Sequence, residues 1–162
     1  MSIISEVEVV SFKVEVPDLD LGSHRAMGVS NLRYAEGSKL TAMRYAVRVA
    51  TDDGHEGQYG AHWVGTEAAL GQTIMLAPHL LGRDPEHREL IYDDLKREIR
   101  AYDGMGHGAL DIALWDLVGK KYGIGVATML GAYRRSLPTY ASTHHGQEDP
   151  GGLDSVEAFA DY

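Results

Sequence analysis

Two kinds of hydrophobic spacing divide the chain. Up to residue 61 apolar side chains recur at every second position, the period of a β-strand, and from residue 66 they recur at three- and four-residue intervals, the period of an α-helix. The dipeptide Asp53-Gly54 is a hairpin signal, for which we predict a type I′ turn. The opening part is therefore predicted to be a three-stranded antiparallel meander, with strands at Ile3–Val16, Leu40–Thr51 and His55–Ala61.

The phase of this alternation predicts which side chains face the core. In the first strand it switches between Val9 and Val10, so we expect a β-bulge there. Between the first two strands, Asp18–Ser38 has neither period and contains three glycines, which is typical of a long loop over a binding site. The second strand is expected to direct one set of residues inward, namely Met43, Tyr45, Val47 and Val49.

The later part predicts helices and then a second structural unit. Asp84 followed by Pro85 is a favourable N-cap and first-turn pair for the second helix. The glycine run 104–108 follows a charged helix and not a strand, so we interpret it as a close-packing point and not as a phosphate loop. The helices are expected at Thr66–Met75, from Asp84 through Leu95, and at Ala109–Tyr122, with a further strand at Leu137–Thr143 and a helix after Asp154 or Ser155.

The third of these helices is apolar nearly all round, so it is predicted to be buried and to end at Gly123. Asp111 and Asp116 lie five positions apart on this helix and are interpreted as structural. Asp116 is expected to pair with Lys120. The order of elements indicates an α+β domain followed by the first βα unit of another domain.

Composition narrows the classes of partner. The 162 residues carry a net charge of −9, which argues against nucleic acid or an anionic membrane as the main partner. The chain has no cysteine, so disulfides and thiolate zinc sites are excluded. Its first residues have neither a basic stretch nor a long apolar run, and we expect a cytoplasmic protein.

Three stretches together carry a family resemblance: GALDIALWDLVGKKYGIGVATMLG at 108–131, VRVATDDGHEGQYG at 47–60 and LPTYAST at 137–143. In order and spacing they resemble the mandelate racemase/muconate lactonizing enzyme branch of the enolase superfamily. The resemblance implies a capping domain at residues 1–134, and at 135–162 the first strand and the start of the first helix of a TIM-like (β/α)₇β barrel that is otherwise missing. Such enzymes use a Lys or His base, with Mg²⁺ stabilising an enediolate formed next to a carboxylate.

The resemblance also implies where the chemistry resides. The family's catalytic and metal-binding residues lie on barrel strands that this sequence does not contain, so no residue here is assigned either role. Mg²⁺ would be bound by the missing barrel. Two specificity loops match Asp18–Ser38 and Ala61–Thr66, and the end of the first barrel strand also reaches the site. The residues expected to bind substrate are His24, Arg25, Asn31, His62, Trp63, Ser142 and His144.

Other interpretations of these residues remain open. His24 and Arg25 could form a solvated loop tip, and His62 and Trp63 could pack between cap and barrel. His144 and His145 are adjacent on a predicted strand and point to opposite faces, so both can hardly bind one ion.

We interpret the chain as the front part of an acid-sugar dehydratase or a racemase, and expect no activity from these 162 residues alone. The polar loop residues favour the dehydratase, with a small carboxylate or acid sugar as substrate. The complete protein is expected to be a homo-oligomer. The alternatives are a stand-alone, non-catalytic α+β binding module and an inactive remnant of the family.

Overall fold

A computed structural model describes residues 2–15, 41–61, 66–139 and 155–161. The chain divides into two compact units, residues 1–131 and residues 132–162. Within the described residues, no helix is both long and apolar enough to span a membrane.

The first unit opens with a three-stranded antiparallel sheet in the order β1-β2-β3, which confirms the predicted meander. The strands are β1 Ile4–Glu15, β2 Thr41–Thr51 and β3 Glu56–Gly60. The bulge predicted at Val9 and Val10 is wrong, because both pair in continuous register with β2 and the irregularity lies between Ile4 and Glu6. The apparent switch arises because both faces of β1 carry valines. Val9 packs on the core, whereas Val10 lies on the outer face and is 46% exposed.

The turn between β2 and β3 is also of a different class from the one predicted. A type I′ turn needs positive φ at both central residues, but of Asp53 and Gly54 only Gly54 has it, at 86°. Gly54 N donates to Thr51 O at 3.1 Å and Thr51 N donates to His55 O at 2.9 Å, the pattern of a three-residue turn. Asp53 instead accepts hydrogen bonds from the hydroxyls of Thr51 and Ser2 at 2.6 and 2.8 Å, which ties the turn to the start of the chain.

Helices cover the inner face of the sheet. The predicted start of the second helix is wrong, because the Asp84 carboxylate accepts from Glu86 N at 2.9 Å and forms a separate turn. The third helix ends at Gly123 as predicted, with φ of 64°. The elements of the first unit are α1 Thr66–Leu76, a 3₁₀ helix Ala77–Leu80, α2 Arg88–Glu98, α3 His107–Tyr122 and α4 Val126–Met129.

The core lies between the sheet and these helices. Gly57 brings β3 against α3, and Gly106 brings the start of α3 against α1, so the glycine run is confirmed as a close-packing point at Gly106. Ile112 is 49% exposed, so α3 is buried along one side only and not all round. The largest fully buried side chains include Ile4, Tyr45, Val47, Val49, Leu76, Leu80, Ile91, Leu95, Leu110, Leu114 and Leu117.

In the second unit, α5 spans Val156–Asp161. Residues 132–139 form neither helix nor strand. The barrel strand predicted at 137–143 is therefore not shown, since 137–139 are irregular and 140–143 lie outside the described residues.

Candidate functional site at one end of the sheet

Two connecting segments follow strands that run in the same direction. Glu15, the last residue of β1, pairs directly with Thr41, the first residue of β2, so the segment 16–40 leaves and returns at neighbouring positions. β3 runs toward that end of the sheet but stops midway along β2, where its C-terminal residue Gly60 pairs with Ala46. The segment 62–65 follows β3 and precedes α1.

These two segments carry five of the predicted substrate-binding residues. His24, Arg25 and Asn31 belong to 16–40, and His62 and Trp63 belong to 62–65. All five lie outside the described residues, so the structure gives the strands that precede them and not their side-chain geometry.

Ser142 and His144 belong to the second unit and also lie outside the described residues. The structure thus shows which strands lead into the two cap segments and leaves these two residues as predictions.

A buried pair of hydroxyls joins β2 to α1. The Thr73 hydroxyl of α1 lies 2.8 Å from both Ala69 O and Gly106 O, and 3.3 Å from the Tyr45 phenol oxygen. Because the single Thr73 proton is engaged by these carbonyls, Tyr45 donates and Thr73 accepts. Burial raises the pKa of the Tyr45 phenol above its ordinary value, which keeps it a neutral donor. We call these two side chains the Tyr45–Thr73 pair.

Sequence reasoning missed the Tyr45–Thr73 pair. The alternation along β2 placed Tyr45 inward, but it treated the side chain as apolar. A signal was present, because a tyrosine at an inward strand position and a threonine within a helix both bring hydroxyls that need partners when buried. The hydrophobic pattern does not predict that these two hydroxyls pair, because the residues lie 28 positions apart in the sequence.

The charged groups at the start of α1 and on α3 have different roles. Glu67 lies in the first turn of α1, where a carboxylate is favoured by the helix dipole, and its Oε1 is buried without a hydrogen-bond partner among the described residues. Asp116 accepts from Gln58 N at 2.8 Å and pairs with Lys120 at 2.7 Å, which confirms the predicted ion pair and links β3 to α3.

Asp111 lies on the side of α3 that meets α2. Burial raises the pKa of its carboxyl, and burial lowers the pKa of His107 one turn earlier. In the part of the chain that the structure describes, no group of three or more His, Asp or Glu residues is arranged to hold a metal ion. These residues therefore do not offer a site that fits Mg²⁺.

Comparison with known proteins identifies similar sequences and folds. The model of the mandelate racemase/muconate lactonizing enzyme N-terminal domain matches residues 25–131. A D-galactonate dehydratase family member from Streptomyces bingchenggensis is 38% identical over 122 residues, which are 69% of this chain and 29% of that protein. The L-talarate/galactarate dehydratase of Salmonella typhimurium is 30% identical over 125 residues, 71% of this chain and 31% of that protein.

The fold has counterparts among solved structures. A member of the enolase superfamily from Agrobacterium tumefaciens superposes with a TM-score of 0.62 at 28% identity, covering 80% of this chain and 37% of that one. The chain thus spans less than a third of these two relatives from Streptomyces and Salmonella, at 29% and 31% of their lengths.

Proposed function

Since the chain belongs to the mandelate racemase/muconate lactonizing enzyme family, through its N-terminal domain, we propose that it supplies the substrate-specificity segments of an acid-sugar dehydratase. The observation that carries this proposal is that 16–40 and 62–65 follow β1 and β3, two strands that both run toward the end of the sheet where β2 begins. Two segments that leave strands in the same direction can enclose one small ligand between them. One relative is named a member of the D-galactonate dehydratase family and another an L-talarate/galactarate dehydratase, and both names support an acid sugar as that ligand.

The proposed division of labour follows from the residues in each segment. His24, Arg25, Asn31 and His62 offer several hydrogen-bond donors, which suits a polyhydroxy acid better than an apolar one. Proton abstraction next to the carboxylate, and the Mg²⁺ that stabilises the resulting charge, are assigned to the part of the relatives that has no counterpart in this chain. A racemase is the alternative within the same proposal, distinguished by its product.

The first experiment asks what the chain does by itself and within a complete enzyme. Incubated with Mg²⁺ and galactonate, galactarate or talarate, the 162-residue chain is expected to show no dehydration. A chimera that joins residues 1–131 to the remainder of the Salmonella relative is expected to dehydrate one of these acids. Dehydration by the chain alone would contradict the proposal, and inversion of the acid without loss of water by the chimera would favour the racemase over the dehydratase.

Arg25→Ala tests the specificity role in that chimera. Loss of a charge-assisted hydrogen bond worth about 1.5–3 kcal/mol should lower kcat/KM by roughly ten- to a hundredfold. Exchange of the α-proton with deuterated solvent should remain measurable, because the base and metal are untouched. Arg33→Ala removes the same charge from the same segment and serves as the matched control. Equal kinetics for the two variants would show that net charge, and not a contact of Arg25, sets the rate.

A further inference from the structure

We propose that the outer face of the three-stranded sheet is the contact surface of a homodimer, in which two copies of this chain pack face to face with their strands antiparallel. This face carries an apolar centre, an excess of carboxylates at one end and a cation at the other. That distribution of charge selects a second copy of the chain as the partner. The inference goes beyond the proposed function and does not depend on it.

The strand register identifies the residues of this face. Tyr45, Val47 and Val49 of β2 are buried on the inner side, so the residues that alternate with them point outward. Their partners in β1 and β3 point outward too, because directly paired residues share a face. We call this set the outer sheet face: Glu6, Glu8, Val10 and Phe12 of β1, Arg44, Ala46, Arg48 and Ala50 of β2, and Glu56, Gln58 and Gly60 of β3.

The centre of the outer sheet face is apolar. An antiparallel sheet with one solvated face normally presents polar residues to water, but Val10 and Phe12 depart from this pattern and are 46% and 47% exposed. Val10 lies beside Ala46 and Gly60, which line the same shallow groove. Exposed apolar side chains flanked by charged ones are the arrangement of a protein contact surface.

The charges lie at the two ends of this face. At one end three half-exposed carboxylates surround the guanidinium of Arg48, namely Glu6, Glu8 at 3.0 Å and Glu56 at 3.4 Å. Three carboxylates against one guanidinium leave a net charge of −2 at this end. Arg44 stands at the other end. Among the described residues it pairs with no carboxylate, and its Nη1 donates to a main-chain carbonyl at 3.0 Å.

These positions make the outer sheet face complementary to itself. Arg44 and Arg48 lie four residues apart on β2, a distance of about 14 Å, with Ala46 and its partner Val10 midway between them. A two-fold axis through this midpoint, perpendicular to the strands, sets the two copies antiparallel. Each Arg44 then lies over the carboxylate end of the other copy, and the Val10 side chains meet at the centre. Aligned sheets pack about 10 Å apart, a gap that opposing side chains fill.

The same charges disfavour other arrangements. Packing with the strands parallel would superimpose the two carboxylate ends, and like charges placed together oppose association. The face from Glu6 to Phe12 is about 20 Å long and three strands wide, so each copy contributes roughly 300 Å². A standard interface buries about 800 Å² per partner, so this dimer belongs to the weak class and should form only at high concentration.

Sedimentation velocity of the 162-residue chain, from about 1 μM to about 500 μM, measures this association directly. The sedimentation coefficient should rise with concentration from that of a monomer toward that of a dimer. Phe12→Glu places a charge in the apolar centre and should raise Kd by roughly tenfold or more. Ile112→Glu is the matched control, because Ile112 is 49% exposed but lies on α3, and it should leave Kd unchanged. Circular dichroism establishes that each variant is folded.

Charge reversal tests the antiparallel arrangement. Arg44→Glu makes both ends of the outer sheet face negative and should abolish self-association. Glu6→Lys combined with Glu56→Lys makes both ends positive, keeps the Arg48–Glu8 ion pair, and should abolish it as well. An equimolar mixture of these two variants should associate again, because each negative face then meets a positive one.

Three results would overturn the inference. A parent chain that stays monomeric throughout would leave the outer sheet face to another part of the complete protein. Weakening by Ile112→Glu as large as that by Phe12→Glu would move the contact to α3. A mixture of the two charge variants that stays monomeric would exclude the antiparallel pairing, even where Phe12→Glu does not fold. No acid sugar enters these measurements, so their failure is distinguishable from failure of the proposed function.

Discussion

At Gly57 the absence of a side chain decides how closely β3 can approach α3. A Cβ built there would collide with Ala113 O and Leu117 N, and would lie 2.7 Å from Leu117 Cβ. Two of these atoms belong to the helix backbone, which cannot rotate away as the tip of a flexible side chain can. The separation between strand and helix therefore depends on this single residue.

Gly57→Ala should destabilise the fold by about 1–3 kcal/mol or more, because it overpacks a rigid contact. Gly60→Ala on the same strand is the matched control, since a Cβ there meets nothing within 4 Å. We expect the control to change the free energy of unfolding by no more than about 0.5 kcal/mol. Urea unfolding followed by circular dichroism measures both, and equal stability of the two variants would contradict the close contact.

The contact between α2 and α3 is built from rings and charges that stack. The rings of Tyr92 and His107 lie 4.4 Å apart, and the Arg88 guanidinium lies 3.2 Å above the Trp115 ring. His107 Nε2 is buried and has no hydrogen-bond partner among the described residues. Burial lowers the pKa of His107 more than the nearby Asp111 carboxyl raises it. Folding therefore favours the neutral imidazole.

This contact should weaken in acid. The unfolded chain takes up a proton as the pH falls through about 6.5, the ordinary pKa of histidine, and the folded chain does so only at lower pH. The free energy of unfolding should therefore be larger at about pH 8 than at about pH 5, and His107→Phe should remove part of that difference. The exposed His79, changed to Gln, is the control. If His107→Phe keeps the full difference, the acid sensitivity arises elsewhere.

At the scale of elements, hydrophobic period predicted the three strands and the three long helices of the first unit. Two of the errors, in the class of the hairpin turn and in the start of α2, have one physical origin. Asp53 and Asp84 each use a carboxylate to accept nearby hydrogen bonds, and such local bonds compete with regular backbone geometry. Hydrophobic periodicity indicates which side chains are buried, but it does not predict the hydrogen bonds that these carboxylates accept.

The candidate site was predictable in outline for a related reason. The order of three antiparallel strands is enough to direct β1 and β3, and with them 16–40 and 62–65, toward the same end of the sheet. The Tyr45–Thr73 pair was not predictable, because it depends on how α1 lies across β2. Tertiary packing of this kind leaves no period in the sequence.

For the whole molecule, the core belongs to one unit. Among the described residues, every buried hydrophobic side chain lies between Ile4 and Val118, within the unit of residues 1–131. That unit therefore contains the contacts that a cooperative fold requires.

A chain shortened to residues 1–131 should unfold with the same urea midpoint as the 162-residue chain. A chain ending at Gly106 is the control, because it lacks α3 and with it Leu110, Leu114 and Leu117, and it should show no cooperative transition. Loss of cooperativity on shortening to 131 would mean that later residues complete the core.

The direct pairing of Glu15 with Thr41 has a consequence for how such proteins diversify. The ends of 16–40 are held side by side by the sheet, so the span that any replacement must bridge does not change with its length. Closing a loop of twice the length costs only about 0.6 kcal/mol more. Insertions, deletions and wholesale exchange of this segment can therefore accumulate while the strand register is inherited unchanged. New ligand preferences can then arise when related proteins exchange the segment 16–40, while the three-stranded sheet that holds its ends is retained.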